Sequence, residues 1–350
     1  MIGGGPAGLS TGYELGRRGV AYEILEQGPR AGYSWTRMPQ NLRLLSPWKA
    51  NVLRGSHGGV APRHALVSRD TFADYLARYA DSHRLQIATS TQVTRVLRLP
   101  GGGFALSTNR GELCARWLIN ATGYFFNPRL PTFLGAATEC SIPQVHAGEY
   151  FNPERLRGLS ASGMRRVLVV GKGISSGQTA TELHDAGFEV TISHRGRMVF
   201  GFDPWVLAIA FHFYFLLEDI AVRVNPYFRR NSFPPMEGGH TRRLIESGRI
   251  RTRPDIARLA ARDVVFSDGR SEPFDVIVYA TGYRPALRHL EGLVRFDEAS
   301  GLPAIRKFES TEAPGLYFVG LDMQRNYRSR YLRGIREDAA LLADIIARGT

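Results

Sequence analysis

The sequence predicts an α/β protein in which one βαβ-type unit is inserted into another. Three observations carry this. A glycine-rich turn, Gly3-x-Gly5-x-x-Gly8, opens the chain, and a second stands at Gly171-x-Gly173-x-x-Ser176. Each leads into a helix-patterned stretch and then a short β-type run. The tetrapeptide Ala-Thr-Gly-Tyr occurs twice, at 121–124 and 280–283, each time closing an apolar run. The two copies form a weak internal repeat of about 110 to 120 residues, a feature to notice before any local one.

The elements follow in order. The first glycine turn predicts a helix from Ala7 to Arg18, then a strand over Ala21–Leu25 ending at Glu26. Only Met1 and Ile2 precede that turn, where a strand of about five to six residues is expected. The chain start is therefore expected to be clipped or misassigned, with the central strand of the first sheet nearly missing. Asp70 reads as an N-cap, since Phe72, Tyr75, Leu76 and Tyr79 follow at helical spacing. Gln92 to Thr108, with three glycines at 101–103, reads as a hairpin. Asn127 to Gly163 is rich in Pro, Gly and Ser and reads as the crossing between domains. Arg166–Val170 is a continuous apolar run, as a buried parallel strand requires. A helix over Gln178–Ala186, a strand over Phe188–Ser193 and a last helix over Arg333–Arg348 complete the pattern. The expected division is 1–135 with 283–350 as one domain, 160–282 as the other, and 136–159 as the linker.

Composition narrows the class. At 350 residues with 43% apolar and 22% charged content, the chain folds and holds about two domains. Net charge is +13, and only three of the 45 basic residues are Lys. The arginines are scattered and no nucleic-acid motif is present. No nucleic-acid partner is expected; a basic surface that attracts anionic cofactors is. Two cysteines, Cys114 and Cys140, exclude a disulfide scaffold, a four-Cys zinc site and a CxxC redox pair. No metal site is expected. The longest apolar run, Trp205 to Leu217, is too short to span a bilayer and reads as a buried helix. With no signal peptide legible, the expected location is the cytoplasm.

The chemistry sits in the two turns. In the first, one Gly permits the tight turn, the next lets backbone approach a pyrophosphate, and Gly8 allows close helix–strand packing. Pro6 and Ala7 open a helix whose N-terminus would face the phosphates. Glu26, eighteen positions after Gly8, would accept hydrogen bonds from ribose hydroxyls, with Gln27 beside it. In the second turn Ser176 replaces the third Gly, and Ser175, Gly177 and Gln178 continue into the helix. The position matching Glu26 is His194, followed by Arg195 and, two further on, Arg197. A ribose 2′-phosphate is repelled by an acid and welcomed by arginine, so this side reads as NADP rather than NAD. The small residues Thr122-Gly123 and Thr281-Gly282 would let a nucleotide or a crossing chain approach closely.

With these motifs the chain, over residues 2 to 348, resembles the flavin-containing monooxygenase superfamily, particularly its short bacterial and YUCCA-like members. Gly32-Tyr33-Ser34-Trp35 and Asn41 to Pro47 resemble the segment along the flavin. Thr311 to Gly320 resembles the returning strand, and Arg333 to Ala339 the helix after it. The resemblance implies two Rossmann-like dinucleotide-binding domains, with an NADP domain inserted in a discontinuous FAD domain. It implies FAD held by the first turn, with Val93 among the residues that bind it and Trp35, Leu42, Ser46, Gly320 and Asp322 around its flavin. It implies NADPH on the second turn. The implied activity is monooxygenation: one oxygen atom of O₂ enters a small organic substrate through a C4a-(hydro)peroxyflavin. In the family signature F-x-G-x-x-x-H-x-x-x-[WY], His146 and Tyr150 keep their spacing, but Cys140 and Ile142 stand at the Phe and Gly positions. His146 and Ser46 are the candidate catalytic residues, the former also readable as a satisfied linker histidine. The Asn that larger relatives place near the flavin has no counterpart at its position, where Leu45 or Ser46 falls; Asn51 is the less favoured substitute. The competing readings are an NADPH-dependent flavin reductase or oxidase without oxygenation, and a non-catalytic nucleotide-binding relic.

Overall fold

A computed structural model describes all residues except 57–58, 64, 134–139, 160–162, 202–215, 226–235, 237 and 350. Two parallel sheets organise it. In the first, the strand order runs Ile87–Ala88, Ile24–Leu25, Ile2, Leu118–Asn120, Leu316–Phe318, Glu309–Ser310 and Ile305–Arg306, the last two antiparallel. In the second, it runs Arg251–Arg253, Glu189–Ser193, Arg166–Val170, Val276–Tyr279 and Gln144–His146, all parallel.

Ile2 holds the central place of the first sheet. Its N–H donates to Ile119 O, its carbonyl accepts from Ala121 N–H, and Leu25 N–H donates to Met1 O. Ile2 thus bridges the strands on either side of it. The expected Ala21–Leu25 strand is likewise reduced to Ile24–Leu25.

The repeat holds through the whole of each unit. After the glycine turn comes a helix (Pro6–Arg17; Ile174–Asp185), a strand, a second helix (Arg69–Ser82; His240–Glu246), another strand and a three-stranded antiparallel meander. The meanders are Val93–Ala115 and Ile256–Pro273, so the expected hairpin gains a third strand, Gly111–Ala115. Each unit is sandwiched. In the second sheet Val167 and Val169 pack on the helices, while Leu168 and Val170 pack on the meander residues Val264 and Phe266. In the first, Ile119 and Ala121 meet the glycine helix and the C-terminal helix, Leu332–Gly349, while Leu118 meets Val96 and Phe104. Alternating side chains on a doubly covered strand explain why these runs read as continuously apolar.

Past each Ala-Thr-Gly-Tyr the chain crosses to the other unit, and the two crossings pair. Arg129 N–H donates to Gly282 O, Arg284 N–H to Asn127 O, and Ala286 N–H to Gly123 O.

Several expectations change. Ser68, not Asp70, caps the helix Arg69–Ser82: its Oγ accepts from Thr71 N–H at 3.2 Å, and Asp70 lies in the first turn. The second glycine helix begins at Ile174, earlier than Gln178, because the turn itself supplies its N-cap, Gly173. The segment 136–159 is not a bare linker. Gln144–His146 extends the second sheet, and Pro153–Arg157 is helical. Most of the run Trp205–Leu217 lies outside the described residues. Residues 216–224 are helical, and there Leu216 and Leu217 are exposed rather than buried. Among the described residues no helix is long and apolar enough to cross a membrane.

Candidate dinucleotide-binding site

The glycines divide by what a side chain would meet. Gly3 has φ +107°, and a Cβ there would lie 2.6 Å from Ala121 O. A Cβ on Gly8 would lie 1.9 Å from Gly3 O, so the helix can approach the strand only without one. Gly5 is the opposite case: nothing lies within 4 Å of its Cβ position. The second turn repeats this. Gly171 (φ +148°) abuts Ala280 O at 2.5 Å, and Gly173 faces open space. Ser176 fits where the third Gly is expected because its hydroxyl donates to Gly173 O at 2.8 Å. Gly177 abuts Met236. Neither helix has a side-chain cap at its N-terminus. Two sets of helix N–H groups are thus left for another acceptor.

Both turns open on one cavity of about 2250 Å³. Gly3, Gly5, Pro6 and Ala7 line it from the first turn, with Thr122, Gly123 and Gly320 beside them. Glu26, Gln27, Val93, Trp35, Leu42 and Ser46 line it as well. From the second turn come Lys172, Ser175 and Gln178, with Arg197 from the following loop. Gly8, Gly171, Ser176 and Gly177 pack behind this surface, and Gly173 is open but does not line it.

Five other expected site residues lie elsewhere. Asp322 does not line the cavity: buried Leu321 separates it from Gly320, and its carboxylate pairs with Arg330 at 3.1 Å. His194 bonds its own turn through Gly196 O. Arg195, with its side chain 69% exposed, pairs with Asp255 at 3.5 Å. Thr281 donates to Arg129 O and Gly282 receives the crossing chain, so this second tetrapeptide meets protein where Thr122 and Gly123 meet the cavity.

His146 is a structural residue. It is 1% exposed and outside the cavity lining. Its Nδ1 accepts from Gly148 N–H at 3.0 Å, capping the turn Ala147–Tyr150. Its Nε2 then carries the proton and donates to Gly282 O at 3.0 Å. Burial holds its pKa below the ordinary value. With both nitrogens engaged, it has no atom for catalysis.

Glu26 is 6% exposed, and burial raises its pKa, countered by bonds from Gly28 and Gly4 N–H at 2.7 Å each. The carboxylate therefore braces the glycine turn as well as facing the cavity. Ser46 donates to Asn51 Oδ1 at 2.8 Å, and the Asn51 amide donates back to Ser46 O and Pro47 O. Asn51 is buried at the cavity wall, so the pair sets the shape of the 46–51 loop.

The cavity has basic residues that the motifs did not single out: Arg43, Lys172, Arg242, Arg284, Arg288, Arg330 and Arg333. Lys172 lies inside the second motif and was legible there. Arg284, Arg288 and His289 follow the second tetrapeptide, but which unit they face is set by the crossing, which spacing does not reveal. Neither Cys114 nor Cys140 reaches the cavity.

Comparison with known proteins agrees with this architecture. Residues 1–206 match the family described as pyridine nucleotide-disulphide oxidoreductase. An uncharacterized oxidoreductase, CzcO-like, of Geobacillus kaustophilus is 29% identical, over 99% of this chain and 97% of its own. Indole-3-pyruvate monooxygenase YUCCA4 of Oryza sativa is 28% identical, over 99% and 87%. A flavin-containing monooxygenase structure from Stenotrophomonas maltophilia superposes with a TM-score of 0.80 at 24% identity, over 99% and 97% of the two chains. The family match agrees with the two open glycine turns: this chain belongs to the pyridine nucleotide-disulphide oxidoreductase family, and over nearly its whole length it is similar to flavin monooxygenases.

Proposed function

We propose that this chain is an NADPH-reduced, FAD-dependent monooxygenase acting on a small organic substrate in the cytoplasm, where two free cysteines and a reduced nicotinamide pool are both at home. The observation that carries it is the meeting of two uncapped helix N-termini at a single cavity, the first through the open glycine position Gly5 and the second through Lys172, Ser175 and Gln178. FAD fits the first: Gly5, Pro6 and Ala7 would hold its pyrophosphate, Glu26, Gln27 and Val93 its adenosine half, and Trp35, Leu42, Ser46, Thr122, Gly123 and Gly320 the rest. NADPH fits the second, held by Ser175, Gln178, Lys172 and Arg197. Residues 1–135 with 283–350 then form the FAD domain. The NADP domain is 140–282, extended from 160–282 by the strand at 144–146.

When bound, the flavin accepts hydride from NADPH and activates O₂. The protein positions and dries the site. Leu42, Leu44 and Trp35 present an apolar wall, and the Ser46–Asn51 pair keeps the loop beside it rigid. Lys172 and Arg197 lack a carboxylate partner among the described residues and suit the 2′-phosphate better than Arg195, whose charge is shared with Asp255. The disulfide-reductase reading has no dithiol at the cavity to support it.

The balance to be met is NADPH, H⁺, O₂ and substrate giving NADP⁺, water and oxygenated substrate. The test follows NADPH use, peroxide release and ¹⁸O uptake from ¹⁸O₂ across amines, sulfides, ketones and 2-oxo acids. Label in product with little peroxide is the expected result. Peroxide equal to NADPH with every compound would establish the oxidase reading instead.

A further inference from the structure

His289 is a second buried histidine, and the mechanism above does not use it. It is 8% exposed and lies in the short 3-10 turn Arg288–Leu290, which packs on the first meander. It also lines the cavity, beside Val93 and Arg288.

The proton on its ring can be located by following a chain of bonds to a group that only accepts. Thr122 Oγ1 lies 2.7 Å from Ala286 O, a carbonyl, so the hydroxyl donates there. It must then accept from Asn120 Nδ2, 3.1 Å away. That orients Asn120 Oδ1 towards His289 Nε2 at 2.8 Å, so Nε2 is the donor. In the neutral ring Nδ1 is then a bare lone pair. It makes no hydrogen bond among the described residues and is not among the buried, unpartnered atoms, so it keeps accessible surface on a residue that lines the cavity. Burial lowers the ring's pKa to about 4, which keeps it neutral near pH 7.

A ligand that fills the cavity takes water away from such an acceptor, and the loss costs free energy unless a donor on the ligand replaces it. Phosphate oxygens cannot meet it, being acceptors themselves. Ribose hydroxyls and the adenine amino group can. We infer that His289 Nδ1 accepts a hydrogen bond from the adenosine half of the dinucleotide on the first glycine turn, making His289 a flavin-retention residue. This rests on the proposed placement of FAD.

Two substitutions separate binding from structure. In His289→Gln the amide nitrogen takes the place of Nε2 and keeps the donor to Asn120, while the cavity acceptor is lost. In His289→Asn the side-chain oxygen takes the place of Nδ1, while the bond to Asn120 is lost. FAD dissociation constants of the full-length protein are measured by flavin fluorescence, with the melting temperature of each apoprotein. The expected result is FAD binding about tenfold weaker for Gln and within about threefold of wild type for Asn. Gln binding as tightly as wild type would overturn the inference. So would a loss of affinity that follows melting temperature alone, with Asn the worse. Wild-type protein that takes up no FAD would remove the placement of FAD itself, and this inference with it.

Discussion

Gly5 and Gly8 sit three residues apart in one turn and answer to opposite constraints. A methyl on Gly8 collides with Gly3 O, whereas one on Gly5, at φ −83°, meets nothing in the protein. Gly8→Ala is therefore expected to destabilise the fold by about 3 kcal/mol or more. Gly5→Ala should leave apoprotein stability within about 0.5 kcal/mol and still weaken FAD binding severalfold. Chemical denaturation and flavin titration of the two variants check this. Motif spacing identified both residues; only the structure separates the packing glycine from the open one. The same holds for histidine. His146 carried a family position and proved to be a cap; His289 carried none and reaches the cavity. Its folded pKa of about 4 lies below the unfolded value of 6.5, so between these the unfolded chain binds the extra proton. Its contribution is complete above about pH 6.5 and is lost as pH falls towards 4. The loss is up to about 3 kcal/mol. Melting curves from pH 7.5 to 4.5 should show a shallower acid decline for His289→Gln than for wild type.

At the scale of elements, what was legible was whatever carries its own pattern. The glycine helices, the apolar strand 166–170 and the last helix announce themselves by spacing and continuity. The strand at 144–146 does not: three residues in a Pro- and Gly-rich stretch become a strand only because Val276–Tyr279 offers a parallel edge. The last helix shows a further limit. Its apolar stripe is readable, but Asp338, fully buried in it, pairs with Arg325 at 2.6 Å in the loop before it. Arg328 in the same loop reaches Glu337 of the helix and Glu218 and Asp219 of residues 216–224. These ion pairs bind the loop to the helix and the insert to both. Arg325 keeps Glu337 at 3.1 Å when Asp338 is neutralised but loses its buried partner, so Asp338→Asn should cost about 2 kcal/mol. Thermal unfolding would reveal it; an unchanged midpoint would deny the pair that role.

At the scale of the molecule, the two units share one basic cavity. Lys172 and Arg197 face it from the second unit, Arg284 and Arg288 from the crossing. Arg197→Ala is expected to raise the NADPH Michaelis constant about tenfold and the NADH one little, while Arg195→Ala changes either by less than about threefold. Steady-state kinetics with both coenzymes decide. A net charge of +13 is expected to steer an anionic coenzyme towards the protein. The rate of NADPH association, measured by stopped flow, should fall about tenfold between low and physiological salt. An association rate indifferent to salt would mean that local contacts, not the overall field, govern capture.

The sequence by itself determined the fold class, the repeat, the two nucleotide turns and the exclusion of a CxxC pair. Each depends on residue identity and short spacing, which backbone sterics and periodicity translate directly into structure. The tertiary structure decided which of those residues face the cavity. Asp322, Arg195 and Thr281 turn to protein partners, while Lys172, Arg288 and His289 line the wall. For Thr281, Arg288 and His289 that choice is made at or just after the place where the two chain crossings pair, between segments more than a hundred residues apart. No local pattern encodes such a contact, because its free energy comes from surfaces that meet only when both units are folded.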